Sequence, residues 1–167
     1  LLGQSMEALA DKIAVYRKAW NEAGHPGQGQ ISLMLHTFVG ENDDEVREKV
    51  RGPMINYLKS SALLVGGYAS SVPFFQHRCE VESGKLTADE VEDALAFSFE
   101  RYYATSSLMG TMNTCLAVTD RLRGMGVDEV ACLIDFGVDA DTVLAALPLL
   151  AELRDLANID EAEAAVA

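Results

Sequence analysis

The stretch that decides the fold is Ile31-Ser32-Leu33-Met34-Leu35-His36-Thr37-Phe38-Val39, closed by Gly40. Its residues are apolar on both alternating faces, which is typical of a parallel strand covered by helices. The next residues, Asn42-Asp43-Asp44-Glu45, combine a capping residue with a glutamate three positions later, which predicts a helix start. The sequence therefore predicts a buried strand over residues 31–39 that leads directly into a helix.

Helices are predicted on both sides of this strand. Before it, apolar residues recur at spacings of three and four, which predicts a helix over residues 5–23 that ends at Gly24. The residues of that apolar face are Met6, Leu9, Ile13, Tyr16 and Trp20. After the strand, Gly52-Pro53 is expected to break the second helix, and Pro53 to open a third.

The second half of the chain repeats the alternation of helices and strands. An irregular connection is expected over residues 66–86, and a helix over 87–107 that opens with the capping box Thr87-Ala88-Asp89-Glu90. Gly110-Thr111 interrupts the pattern before a further helix. A second apolar strand over residues 130–136 then precedes a helix that Asp139 caps, kinked at Pro148 and ending near Leu156. This order indicates an α/β fold with parallel strands.

Composition narrows the classes of function. The chain has 167 residues, 49% of them hydrophobic, and a formal net charge of −13. An acidic excess of this size repels a phosphate backbone, so we expect no nucleic-acid partner. No apolar run approaches the roughly 20 residues of a membrane span, so no membrane partner is expected.

The cysteines and histidines indicate structural roles. Cys79, Cys115 and Cys132 are odd in number and form no CxxC pair, so we expect three free, buried thiols in a reducing cytoplasm. The three histidines, His25, His36 and His77, lack the spacing of metal ligands, and we expect no metal site.

Seven runs of residues also occur, in this order, in one known family. They are Gly24-His25-Pro26, residues 33–40, residues 44–53, Phe99-Glu100-Arg101-Tyr102, Gly110-Thr111, Gly126-Val127-Asp128-Glu129, and residues 131–139. Together they resemble the late part of luciferase-like flavin monooxygenases, in the branch found inside or beside nonribosomal peptide and polyketide synthases. The resemblance covers nearly the whole chain.

The resemblance implies a TIM-type (β/α)₈ barrel, a fold of about 250 residues. Residues 1–156 would then be the C-terminal portion of the barrel, from its sixth helix to its eighth helix. This portion would include a helical insertion over residues 53–107, and residues 157–167 would form a flexible tail. The N-terminal half, which carries most flavin contacts in the family, would be absent, so the isolated chain is expected to be inactive.

Active sites of such barrels lie at the carboxyl ends of the strands. That rule selects His36 and Asp135 as catalytic candidates. His36 would donate a proton or a hydrogen bond to a reduced flavin, and the alternative is a core histidine satisfied by backbone. Asp135 would orient a basic group, and the alternative is a capping residue. Candidate cofactor-binding residues are Gln4, Ser5, Thr37 and Phe136, although helix capping explains Ser5 and core packing explains Phe136 equally well.

The function implied by the resemblance is oxygenation of an organic substrate, either free or tethered to a carrier protein, with O₂ and with reduced FMN from a separate reductase. The alternative is a non-catalytic truncated module or helical self-association domain that binds no flavin. Half a barrel leaves strand edges open, so we expect a homodimer. The alternative there is a monomer in which the insertion folds back over the exposed faces.

Overall fold

The computed structural model describes residues 6–64 and 88–158. These residues form five helices and three strands, joined by loops. In chain order they are α1 Met6–Glu22, β1 Ser32–Gly40, α2 Asp43–Leu64, α3 Ala88–Ser106, β2 Leu108–Thr111, α4 Met112–Gly124, β3 Glu129–Leu133 and α5 Ala140–Ala157. The chain therefore has the mixed α/β fold that the alternation of elements predicts.

The three strands form one parallel sheet in the order β2-β1-β3. β1 is the central strand. Its first half pairs with β3 along one edge, and its second half pairs with β2 along the other edge. The register runs from Ser32 opposite Glu129 to His36 opposite Leu133, and from Thr37 opposite Leu108 to Gly40 opposite Thr111. His36 therefore lies level with the carboxyl end of β3.

Helices cover both faces of β1, as its two-sided apolar pattern predicts. Leu33, Leu35 and Val39 pack in one core with residues of α1, α4 and α5. Phe38 packs on the opposite face with residues of α2 and α3. The alternation of side chains along a strand divides the buried residues of β1 between two opposite faces, whereas Ser32 and Met34 near its start are exposed.

The guanidinium of Arg17 joins α1 to the amino end of the sheet. It donates to the carbonyl oxygens of Gln28 and Gly29 at 2.6 Å each, and to the Asp128 carboxylate at 2.7 Å. The same carboxylate accepts from the Ile31 amide at 2.7 Å. One ion pair thus fixes the helix predicted over residues 5–23 against the starts of β1 and β3.

The predicted break at Pro53 is wrong, because α2 runs without interruption from Asp43 to Leu64. Val50 and Met54, on either side of the proline, are fully buried, and this packing holds the helix together. Proline removes one hydrogen bond, here to the carbonyl of Lys49, and Lys49 is exposed to solvent, which can hydrate that carbonyl. The predicted insertion over residues 53–107 therefore begins inside a helix.

Two strand predictions also need correction. β2, Leu108–Thr111, was expected only as an interruption at Gly110-Thr111, yet it pairs with the second half of β1. The strand predicted over residues 130–136 covers only Glu129–Leu133, since its pairing with β1 ends where Leu133 lies opposite His36. Asp135 and Phe136 consequently follow the strand instead of ending it.

The last helix keeps its predicted N-cap. The Asp139 side chain accepts from the Thr142 amide, and the helix continues through Pro148 to Ala157, one residue beyond the predicted tail boundary. In the part of the chain that the structure describes, no helix is both long and apolar enough to cross a membrane. The predicted connection over residues 66–86, the capping residue Thr87 and the tail beyond Asn158 lie outside the described residues.

Candidate functional site

His36 lies on β1 in a pocket of aromatic rings, and only 4% of its surface is exposed. It faces the same side of the sheet as Phe38, since residues two apart on a strand share a face. Its ring centroid lies 4.6 Å from that of Tyr57, 5.5 Å from that of Tyr102 and 5.5 Å from that of Phe136. All three rings meet the imidazole edge-on, so helix α2, helix α3 and the segment after β3 each supply one wall.

The two nitrogens of His36 have different surroundings. Nδ1 lies 2.6 Å from the hydroxyl oxygen of Tyr102. Nε2 is buried and has no hydrogen-bond partner among the described residues. A buried polar atom without a partner is rare in proteins and costs free energy, so Nε2 marks this pocket as a candidate ligand site.

Burial sets the protonation of this pair. Desolvation lowers the pKa of His36 to about 4, and the nearby Asp135 carboxylate opposes part of that effect. Burial likewise raises the pKa of the Tyr102 hydroxyl far above its ordinary value. At neutral pH both side chains are therefore uncharged.

Asp135 and Phe136 follow the end of β3 at Leu133, which lies directly opposite His36; the Phe136 ring contacts the imidazole, and Asp135 is exposed. Phe136 is 2% exposed and belongs to the core on the α2 and α3 side. The next residue, Gly137, has φ +107°, a backbone conformation that favours glycine, and it turns the chain against Pro53 of α2. The structure thus brings His36 and Phe136 together, as the rule about strand ends predicts, and leaves Asp135 exposed nearby, where its charge raises the pKa of His36.

Thr37 lies on the opposite face of β1 from His36. Its hydroxyl donates to the carbonyl of Leu35 at 3.0 Å, and its side chain borders a void of about 10 Å³ next to α5. A void of that size holds at most one water molecule. The structure therefore separates Thr37 from the His36 pocket, and the candidates Gln4 and Ser5 lie outside the described residues.

A bound FMN needs a place for its phosphate as well as for its ring. Helix starts commonly bind phosphate, but carboxylates occupy two of them here. Asp43 accepts from the Thr111 amide at 2.7 Å and from the Thr114 hydroxyl at 3.1 Å at the start of α4, and Asp139 caps α5. Gly110 makes room for Asp43, since a Cβ on that glycine would lie 2.6 Å from the carboxylate. Among the described residues, Nε2 of His36 is available to hydrogen-bond to a flavin ring, but these residues do not form a complete FMN site.

The thiols and possible metal ligands do not add to this pocket. Among the described residues, no three His, Cys, Asp or Glu side chains come together as a metal site would require. Cys115 is free and buried, and burial raises its pKa to about 12. The expectation of a buried thiol is wrong for Cys132, which is free but exposed because β3 lies at the edge of the described sheet. Cys79 and His77 lie outside the described residues.

The sequence interpretation missed Tyr57 and Tyr102 as members of the site. Tyr102 was named only as part of the family-like run Phe99-Glu100-Arg101-Tyr102, with no role in the site. A signal for its role did exist, because a tyrosine on a buried helix face needs a partner for its hydroxyl. The partner lies 66 residues earlier in the chain, so local spacing could not identify it.

Comparisons with known proteins give distant likenesses to solved structures only. No family model matches the chain, and no curated protein matches it. Among solved structures, the chain is similar to the crystal structure of the monooxygenase RslO1 from Streptomyces bottropensis, with 20% sequence identity and a TM-score of 0.50. The match covers 87% of this chain and 36% of that one. At this identity the likeness concerns the fold alone.

Proposed function

We propose that this chain is the C-terminal part of the (β/α)₈ barrel of a luciferase-like, flavin-dependent monooxygenase. The observation that carries the proposal is the buried, unpartnered Nε2 of His36 within the described residues, level with the carboxyl end of β3. Barrel enzymes place their active sites at this end of their strands. The likeness in fold to a protein named a monooxygenase and the order of the family-like runs support the same assignment.

In this proposal His36 forms the polar wall of the active site. A neutral imidazole exchanges hydrogen bonds with a bound molecule without bringing a charge into an apolar pocket. Tyr57, Tyr102 and Phe136 surround it with rings that keep water away. Asp135 stands close enough to influence the charge of the imidazole.

The cofactor in this proposal is reduced FMN, which supplies the electrons for oxygen chemistry. Its phosphate would be held by residues outside the described part, where Gln4 and Ser5 stay candidates. The substrate is an organic molecule, free or tethered to a carrier protein, and the setting is the cytoplasm. These assignments rest on the family resemblance.

The test compares two matched histidine variants in the complete gene product that contains this chain. His36→Gln removes the buried imidazole, and His25→Gln removes an exposed one that follows α1. With reduced FMN and O₂, we expect His36→Gln to lower substrate oxygenation by about a hundredfold or more, the range for general acid–base groups, and His25→Gln to leave it unchanged. Full activity of His36→Gln, or no oxygenase activity in the unaltered protein, would contradict the proposal.

A second candidate function is a self-association module that binds no flavin. One observation favours it: β3 exposes Glu129, Ala131 and Cys132, and Met34, opposite Ala131, is 59% exposed. An open strand edge beside an apolar side chain recruits further strands, and exchange between identical chains is the simplest outcome. Light scattering decides: a mass that stays near 18.1 kDa at all concentrations would exclude a homodimer.

A further inference from the structure

The hydrogen bond between His36 and Tyr102 determines which ring nitrogen carries the proton. A neutral imidazole has one N–H donor and one acceptor nitrogen. Tyr102 keeps its hydroxyl proton at neutral pH, since the ordinary tyrosine pKa of 10 lies well above 7 and burial raises it further. Nδ1 of His36 is the partner of that hydroxyl in the described part of the chain, at 2.6 Å.

The two possible tautomers leave different numbers of polar groups without partners. If Tyr102 donates to Nδ1, the imidazole proton sits on Nε2, and a single N–H is left unpaired. If Nδ1 carries the proton and donates to the Tyr102 oxygen, both the tyrosine O–H and the Nε2 lone pair lack partners within the described residues. One additional unpaired buried O–H disfavours the second arrangement roughly ten- to a hundredfold.

We propose that Tyr102 is a positioning residue that holds His36 as the Nε2–H tautomer, so that the pocket binds its ligand by donating a hydrogen bond to a carbonyl-type acceptor. The proposal rests on the site assigned under the proposed function and adds the direction of its polar contact. A ligand that offers only N–H donors would face another donor at Nε2 and would be rejected.

The walls of the pocket restrict the ligand further. Tyr57, Tyr102 and Phe136 stand roughly perpendicular to the imidazole and make its immediate surroundings aromatic. Such surroundings favour a flat, largely apolar molecule with an acceptor at its rim. A carbonyl of a flavin ring and a carbonyl of an organic substrate share this chemistry.

Nitrogen-15 NMR of the histidine rings tests the tautomer in the full chain at pH 7. We expect His36 to show a protonated Nε2 and an unprotonated Nδ1. Tyr102→Phe removes only the hydroxyl and should shift the signals toward a mixture of tautomers. The matched control is Tyr103→Phe on the same helix, whose hydroxyl instead donates to the Asp43 carbonyl, and it should leave the His36 signals unchanged.

Several outcomes would overturn the tautomer assignment. A protonated Nδ1 in the unaltered chain would do so without any variant. So would His36 signals in Tyr102→Phe identical to those of the unaltered chain. If Tyr102→Phe and Tyr103→Phe changed the His36 signals equally, the hydroxyl of Tyr102 would have no specific positioning role.

Two titrations then distinguish the sources of the acceptor. One adds oxidised FMN and the other adds cyclohexanone, and each follows the Nε2–H signal of His36. A downfield shift with FMN identifies a flavin carbonyl, and a shift with cyclohexanone alone identifies a substrate carbonyl. No shift with either overturns the ligand assignment. None of these NMR measurements needs turnover. A negative NMR result is therefore distinguishable from a negative result in the oxygenase assay.

Discussion

Acidification is expected to destabilise this chain through His36. Burial lowers the pKa of His36 to about 4 in the folded chain, against an ordinary value of 6.5. The unfolded chain therefore binds a proton at His36 more readily than the folded chain does. The stabilising contribution is fully present above pH 6.5 and is lost as the pH falls toward 4.

The magnitude follows from these two pKa values. At pH 5 the imidazole is almost fully protonated in the unfolded chain and mostly neutral in the folded one. Each pH unit between them is worth about 1.4 kcal/mol, so lowering the pH from 7 to 5 should cost about 1–2 kcal/mol in the free energy of unfolding. That is a large part of the stability of a small domain.

The assay is urea unfolding of the unaltered chain and of His36→Gln at pH 7 and pH 5. Ionisable groups that do not interact with His36 are the same in both proteins, so their effects cancel in the comparison. The stability advantage of the unaltered chain over His36→Gln should shrink by about 1–2 kcal/mol at pH 5. An advantage that stays the same at both pH values would refute the assignment of His36 as a buried, neutral imidazole.

Three further predictions concern the rest of the chain. Arg17→Met should lower the free energy of unfolding, measured in urea, by about 2 kcal/mol, because it removes a charged group that joins α1 to the sheet. The control Lys18→Met, at an exposed position, should change it by less than about 0.5 kcal/mol. Thiol titration of the unfolded chain should find three free groups, and in the folded chain Cys132 should react well before the buried Cys115; equal rates would contradict the described burial. The purified chain alone should not oxygenate substrates, and detectable product with reduced FMN would overturn that expectation.

Local patterns were sufficient for the longer elements. Apolar residues at helical spacing identified α1, and the two-sided apolar run identified β1, because burial on these faces agrees with the local preferences of the chain. The proline in α2 misled the prediction. The burial of Val50 and Met54 outweighs one lost hydrogen bond, and this packing depends on residues distant in sequence.

A strand that exists only because it pairs with a distant strand was not predictable from local patterns. β2 has four residues and contains Gly110, so only its pairing with the second half of β1 makes it a strand. In the site, the rule about strand ends correctly joined His36 to Phe136, but it could not separate Thr37, the next residue, which points to the other face.

The visible absorption spectrum of FMN, titrated with the complete gene product that contains this chain, tests the central claim most directly. The account predicts that the flavin bands shift and gain resolved structure on binding, and that His36→Gln weakens this binding while His25→Gln does not. An FMN spectrum that stays unchanged at saturating protein would contradict the assignment of this chain to a flavin-dependent monooxygenase.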